Sequence, residues 1–193
     1  MDGVVFCNNK AVDATSHGRL RGLSDAQRLL TLHPRDPSPF MLTVRKHTDI
    51  EAPVEAVFGY MDAPRHQPDI TPSLTKSHFL ERLPNGGSRV QYTYRILGLS
   101  FSGEVRATDY VADERIVWSM EGDLRGTIRW YFQPLRDGKH TRFTYAATYA
   151  LPGPSIVHPL LKPLVRRYNE REVNTLLERL QARVEREHKS ALV

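Results

Sequence analysis

The stretch RVQYTYRIL (Arg89–Leu97) alternates apolar and polar side chains from one residue to the next. A period of two is typical of a β-strand that buries one face and exposes the other to water. The stretch therefore predicts one strand of an antiparallel sheet. Its apolar face would consist of Val90, Tyr92, Tyr94 and Ile96.

The same alternation continues on both sides of this stretch. The turn sequences PNGG (84–87), EGD (121–123) and RDGKH (136–140) separate the alternating segments. Six consecutive strands joined by short turns predict a meander. These strands are expected at Leu74–Leu83, Arg89–Leu97, Leu99–Arg106, Ile116–Met120, Leu124–Gln133 and Thr141–Tyr149.

A further strand and two helices are predicted before the meander. The segment Leu42–Ile50 alternates like a strand. Pro53 then opens a helix that runs to Met61, because proline is tolerated at the first helical position. A short second helix or turn containing His66, Pro68 and Asp69 follows and ends before Pro72.

The C-terminal segment predicts the long helix that covers the apolar face of the sheet. Its regular part is expected to begin near Pro163, with residues 155–162 as a looser lead-in, since an interior proline costs about 3 kcal/mol. The fold class is therefore α+β, with a curved antiparallel sheet of about seven strands in the order strand, helix, helix, six strands, helix. Apolar residues with helical spacing are Leu160, Leu161, Leu164, Val165, Tyr168, Val173, Leu176, Leu177, Leu180 and Val184.

The first 40 residues differ in composition from the rest of the chain. They mix short apolar pieces with polar turns and end in HPRDPSPF (33–40), which holds three prolines. We expect residues 1–40 to be a flexible N-terminal extension and residues 41–193 to be a single ligand-binding domain. With 193 residues, 40% hydrophobic and 25% charged, the chain has the composition of a globular protein.

The order of elements and several sequence stretches resemble the START-like superfamily, often labelled SRPBCC, which includes polyketide cyclase/dehydrase and coenzyme Q-binding proteins. The resemblance runs from Leu42 to about Glu187 and implies the helix-grip fold, in which the sheet wraps the long helix around a ligand cavity. The stretches that carry it are IEAPVEAVFGYM (50–61), IVWSMEG (116–122), FQPLRDGKHTRFTY (132–145), YALPG (149–153) and NEREVNTLLERL (169–180).

The sequence lacks the motifs that identify several functional classes. The chain contains no HExxH, GxSxG, GxGxxG or GxxxxGK[ST] motif, and its single cysteine, Cys7, permits no intrachain disulfide. We predict no metal site and no cofactor. The N-terminus lacks a secretory signal and no segment is apolar over about 20 residues, so a cytoplasmic location is expected.

Aromatic side chains on the predicted concave face are the candidate ligand-binding residues. A packed core usually prefers aliphatic side chains, whereas Tyr and Trp add polar atoms that can orient a ligand. Tyr149 shares this face with them. The candidates are Tyr92, Tyr94, Phe101, Trp118, Trp130, Phe143, Tyr145, Leu164 and Tyr168.

The leading hypothesis is a non-catalytic protein that sequesters or carries a hydrophobic small molecule, such as a lipid, an isoprenoid quinone or a polyketide-like aromatic. A cyclase- or dehydratase-type enzyme that uses the same cavity is the first alternative. His66, Asp69 and His78 are its candidate acid or base residues. A pair of polar side chains pointing inward would favour the enzyme.

The basic C-terminal helix suggests a third class. Residues 155–193 hold eight basic and five acidic side chains, and the whole chain has a net charge of +5. Arg166, Arg167 and Arg171 surround Tyr168, although Glu170 and Glu172 interrupt them. The alternatives are an RNA- or ribosome-associated module and peripheral contact with an anionic membrane. Nucleic-acid binding is disfavoured because no base-stacking motif accompanies the charge. The sequence does not indicate the oligomeric state.

Overall fold

The computed structural model describes residues 40–136, 138–151 and 158–191. The expectation for residues 1–40 lies outside this part, apart from the backbone of Phe40. The helices are α1 (Val54–Asp62), α2 (Gln67–Ile70) and α3 (His158–Ala191), with a 3-10 turn at Pro64–His66. The strands are β1 (Phe40–Ile50), β2 (Leu74–Arg82), β3 (Ser88–Ile96), β4 (Leu99–Val111), β5 (Arg115–Gly122), β6 (Arg125–Leu135) and β7 (His140–Leu151).

The seven strands form one curved antiparallel sheet in the order β1-β7-β6-β5-β4-β3-β2. Six consecutive strands make the predicted meander, and β1 closes against β7 over its whole length, from Phe40 opposite Leu151 to Ile50 opposite Thr141. The helix-grip architecture predicted from the sequence is confirmed. The alternation that predicted β3 also holds, because Val90 and Tyr92 are buried whereas Gln91 and Arg95 are exposed.

The long helix α3 begins at His158, five residues before the start that the prolines suggested. The prediction placed residues 155–162 in a looser lead-in, and for residues 158–162 this is wrong. Pro159 falls in the first turn, where backbone N–H groups have no helical partner in any case. Pro163 lies inside the helix and removes only one backbone hydrogen bond, which the remaining turns tolerate.

One face of α3 is buried against β1, α1 and α2. Polar contacts fix its C-terminal half to the start of the domain: Thr48 Oγ1 donates to Gln181 Oε1 at 3.2 Å, and the Glu51 N–H donates to Glu185 Oε1 at 3.0 Å. The helix is thereby held over the concave face of the sheet. Its buried residues are Asn169, Val173, Leu176, Leu177, Leu180 and Val184.

Aromatic rings link α1 to the sheet within the core. The Phe143 ring contacts that of Phe132 at a centroid distance of 5.2 Å, and Phe132 contacts Phe58 of α1 at 4.9 Å. Phe58 in turn contacts Tyr110 at 5.6 Å. These four rings join β7, β6, α1 and β4 into one packed aromatic core.

Candidate functional site

Two small cavities lie on the concave face of the sheet. The first, here called the tryptophan cavity, has a volume of about 50 Å³, and the second, the helix cavity, has a volume of about 60 Å³. The tryptophan cavity is lined by Met61, Asp62, Pro64, Gln67, Leu74, Ser77, Val90, Tyr92, Tyr94, Val105, Trp118, Ile128 and Trp130. The helix cavity is lined by Gln67, Thr71, Tyr94, Ile96, Met120, Leu124, Ile128, Trp130, Tyr145, Tyr149, Asn169, Glu172, Val173 and Leu176.

The two cavities share a wall. Gln67, Tyr94, Ile128 and Trp130 line both of them. Gln67 is fixed there because its Nε2 donates to the carbonyl oxygen of Met61 at 2.9 Å. The side chains of Tyr94 and Trp130 are therefore the groups whose rotation would join the two spaces.

Two indole N–H groups in this site lack an acceptor. Trp118 and Trp130 are only 4% and 7% exposed, and in the described part of the chain neither Nε1 atom has a hydrogen-bond partner. Their rings pack edge to face with centroids 5.3 Å apart. A buried donor without an acceptor costs about 1–3 kcal/mol, so a ligand acceptor that reached either N–H group would be bound favourably.

Three phenols that line the cavities differ in the hydrogen bonds of their hydroxyl groups. Tyr92 Oη donates to the carbonyl oxygens of Leu124 at 3.2 Å and Glu121 at 3.3 Å, and burial raises its pKa to about 12. The hydroxyls of Tyr94 and Tyr145 bond to no other described residue. Burial, and then neighbouring tyrosines and Glu172, raise the pKa of both phenols, which therefore stay protonated and can donate.

The helix cavity contains a polar cluster from α3. Asn169 is 8% exposed, and its Oδ1 accepts a hydrogen bond from Tyr149 Oη at 2.6 Å. One turn further, Glu172 Oε1 accepts from the backbone N–H of Ser73 at 2.6 Å. Burial raises the pKa of Tyr149 first, and the nearby Tyr94 and Glu172 raise it further. A carboxylate, an amide and three phenols therefore meet at one end of the site.

The structure brings none of the three acid or base candidates to the cavities. His66 stacks on Tyr60 at 4.4 Å, its Nδ1 lies 3.2 Å from the Tyr60 carbonyl oxygen, and its Nε2 accepts from Arg65 at 3.1 Å. Asp69 is exposed and pairs with Arg183 at 3.3 Å. His78 lies on the edge strand β2 and lines neither cavity. These residues hold local structure or lie at the surface.

The ligand-binding candidates divide into two groups. Tyr92, Tyr94, Trp118, Trp130 and Tyr145 line one or both cavities. The other four do not: Phe143 is fully buried in the aromatic core, Phe101 packs partly against the core, Tyr168 is half-buried, and Leu164 is 53% exposed. The prediction of Leu164 as a ligand-binding residue is corrected, since the described side chains of α3 that line the helix cavity are those of Asn169, Glu172, Val173 and Leu176.

Sequence reasoning missed Gln67, Asn169 and Glu172. A signal was present for the last two, because residues 169, 172, 173 and 176 share one helix face. Asn169 and Glu172 are therefore two polar side chains on the helix face that the spacing of apolar residues predicts to be buried. Glu172 was instead assigned to the basic surface, where Arg166 pairs with Glu170 at 3.1 Å and Arg167 and Arg171 are exposed.

Neither a metal cluster nor a membrane span is found in the described part of the chain. No three described side chains of His, Cys, Asp or Glu, within residues 41–136, 138–150 and 163–191, gather closely enough to hold a metal ion. Within the same residues, no helix has the length and apolarity needed to cross a membrane.

A fold of this kind, with aromatic-lined cavities between a curved sheet and a long helix, defines a class of small-molecule-binding domains. Residues 41–185 match the model of the family described as polyketide cyclase / dehydrase and lipid transport, and the chain belongs to this family. No curated protein matches the chain.

Several solved structures share this fold. A protein from Thermus thermophilus, TTHA0849, is 25% identical, with a TM-score of 0.66 over 74% of this chain and 97% of its own. The Zhui aromatase/cyclase of Streptomyces sp. R1128 is 15% identical, with a TM-score of 0.65 over 76% and 95%. A START superfamily protein of Mycobacterium smegmatis is 20% identical, with a TM-score of 0.60 over 75% and 97%.

Proposed function

We propose that this domain binds a hydrophobic small molecule between the sheet and α3 and sequesters or carries it unchanged. The observation that carries the proposal is the pair of buried indole N–H groups of Trp118 and Trp130: both residues line a mostly apolar cavity, and neither N–H group has a hydrogen-bond partner among the described residues. Apolar burial contributes about 25 cal/mol per Å², and a few polar atoms set the orientation. The ligand would carry a carbonyl or quinone oxygen that accepts from these indoles.

The size of the site determines how such a ligand enters. Pockets for drug-sized ligands usually measure about 300–1,000 Å³. The tryptophan and helix cavities, at about 50 and 60 Å³, are smaller even when combined. Binding therefore requires the shared side chains of Tyr94 and Trp130 to rotate and merge the two spaces, together with movement of α2 or α3.

Native mass spectrometry of the protein purified from its source, followed by denaturing extraction, tests the carrier function. We expect a co-purifying hydrophobic molecule that contains a carbonyl or quinone group and leaves the protein on unfolding. Titration with benzophenone, an apolar aryl ketone, provides a defined probe of the same site. The absence of both a co-purifying molecule and benzophenone binding would contradict the proposal.

The indole donors give a quantitative prediction. Trp130→Phe keeps an aromatic ring in the cavity but removes the donor, so benzophenone affinity should fall about tenfold, the equivalent of one hydrogen bond of about 1.4 kcal/mol. Isothermal titration calorimetry measures this change. Tyr131→Phe is the matched control, because Tyr131 is the neighbour of Trp130 in β6 and contacts Arg45 on the other side of the sheet. Equal losses in the two variants would argue against a donor role.

A second candidate function is a cyclase- or dehydratase-type enzyme, and the observation that favours it is Glu172 inside the helix cavity beside three phenols. Glu172 would remove the proton from the carbon next to a ligand carbonyl. The hydroxyl group on the next carbon would leave as water with a proton from the Tyr94 or Tyr145 hydroxyl. A carbon–carbon double bond forms, and the proton on Glu172 then returns to the phenolate.

The aldol adduct of benzaldehyde and acetone tests this second candidate. Its dehydration gives benzalacetone, whose conjugated enone is followed by ultraviolet absorbance. The enzyme function predicts faster dehydration with the protein, lost by at least about 100-fold in Glu172→Gln, because a positioned base contributes about 10²–10⁴-fold. Binding of the adduct without faster dehydration would leave the carrier function as the only supported one.

A further inference from the structure

The helix cavity contains a carboxylate that forms no ion pair with any described side chain. Glu172 lines the cavity, and among the side chains of residues 41–136, 138–150 and 163–191 no Lys, Arg or His pairs with it. The neighbouring Glu170, in contrast, pairs with Arg166 on the outer face of α3. A partly buried anion without a counter-charge strongly favours a hydrogen-bond donor placed next to it.

The described part of the protein supplies only one donor to this carboxylate. Glu172 Oε1 accepts from the Ser73 N–H at 2.6 Å, which holds the group in position. Tyr149 donates to Asn169 instead. The second carboxylate oxygen, Oε2, has no hydrogen-bond partner among the described residues, so it can accept from a ligand.

Apart from Asp62 Oδ1, the other buried polar atoms that line the site without a partner are donors. The indole N–H groups of Trp118 and Trp130 lack acceptors, and the hydroxyls of Tyr94 and Tyr145 bond to no other described residue. A ligand hydroxyl group suits this end of the cavity better than an amine or ammonium group, because it can donate to Glu172 and at the same time accept from a tyrosine. An anionic group would be repelled by the carboxylate.

We propose that Glu172 binds a hydroxyl group of the ligand, so that the molecule carries a carbonyl acceptor toward Trp118 and Trp130 and a hydroxyl donor toward α3. The ligand class is thus a hydroxylated aromatic ketone or quinone. This inference rests on the carrier function proposed above and adds the chemistry of the second end of the ligand. The role of Glu172 here is to select and orient the ligand.

A series of substituted benzophenones tests the proposal by calorimetry at slightly acidic pH, where the phenol is neutral. para-Hydroxybenzophenone should bind about tenfold more tightly than para-methoxybenzophenone, because hydrogen bonds to charged groups are the stronger ones. para-Benzoylbenzoate, which places a negative charge at the same position, should bind more weakly than the methoxy compound. This order of affinities can be measured on the unmodified protein alone.

Glu172→Gln removes the charge and keeps the shape and an acceptor for the Ser73 N–H. In this variant the preference for hydroxyl over methoxy should shrink to about threefold or less, and para-benzoylbenzoate should bind better than to the unmodified protein. Glu170→Gln, two residues away on the outer face, should keep the full preference.

The outcomes separate this inference from the carrier function. Equal binding of the hydroxy and methoxy compounds, or tight binding of para-benzoylbenzoate, would overturn the role of Glu172 and leave the indole site intact. An equal loss of affinity for all compounds in Glu172→Gln would show a structural role and would also overturn it. Failure of every benzophenone to bind, together with the absence of a co-purifying molecule, would overturn the carrier function itself.

Discussion

Replacement of Phe143 by alanine is expected to lower the free energy of unfolding by about 3–5 kcal/mol, the usual cost of removing a fully buried phenylalanine. Phe143 has no solvent exposure and packs on Phe132 at a ring distance of 5.2 Å. Phe132 in turn supports Phe58 of α1, so the cavity left by the truncation lies where the sheet meets the first helix. Urea denaturation followed by circular dichroism measures the loss.

Phe79→Ala is the matched control for Phe143→Ala. Phe79 lies on the edge strand β2 and is 44% exposed, so the same truncation should change the free energy of unfolding by less than about 1 kcal/mol. Phe143 lines neither cavity, and benzophenone affinity of the folded Phe143→Ala protein should therefore be retained. Similar losses of stability in the two variants would contradict the assignment of Phe143 to the packed core.

Gly103→Ala is expected to destabilise the domain by about 3 kcal/mol, because overpacking a rigid contact usually costs 1–3 kcal/mol and a hydrogen bond is lost as well. A Cβ atom at this position would overlap the carbonyl oxygen of Glu121 and lie 2.6 Å from Tyr92 Oη. Tyr92 is directly opposite Gly103 in the sheet, and its phenol occupies the space that a side chain would need. The substitution must separate β4 from β5 or expel Tyr92 from the wall of the tryptophan cavity.

The expected consequence of Gly103→Ala therefore includes binding as well as stability. Thermal unfolding should occur at a lower temperature, and benzophenone affinity should fall because the cavity wall is displaced. Gly59→Ala is the control: no atom lies within 4 Å of the place that a Cβ would take at this residue of α1, and the change should stabilise by about 0.5–1 kcal/mol. An unchanged melting temperature for Gly103→Ala would contradict the prediction, because it would show that β4 and β5 accommodate the added Cβ atom without loss of stability.

The fold could be predicted from the sequence because the patterns that indicate each strand and helix lie within that element. Alternation in Arg89–Leu97 and helical spacing in α3 each report directly which side of an element is buried. The start of α3 was predicted less well, since a proline in the first turn and one inside a long helix have different costs that the sequence pattern does not separate.

The candidate site was predicted only in part. Aromatic residues in the middle of strands, such as Trp118 and Trp130, share a face that the pattern defines. Phe143 shares that face too, but it lies in the packed core beside α1, and the alternation contains no information about which end of the face the helices cover. His66 and Asp69 were chosen for their chemistry, whereas Glu172 was placed on the surface because a charged residue in a basic helix usually lies there.

The pairing of the first strand with the last has a consequence for how the chain folds. Val44 pairs with Ala147, so β1 acquires its neighbour only after about 100 further residues have been added. At a synthesis rate of about 5–20 residues per second, the hydrogen-bonding groups of β1 remain unpaired for about 5–20 seconds before β7 is synthesised. Closing such long-range pairs is slow for antiparallel sheets generally, typically milliseconds to seconds. The β1–β7 pair, whose strand β7 carries Tyr145 into the helix cavity, is therefore the last part of the sheet that can form, and a nascent chain stalled before β7 would expose β1 to chaperones.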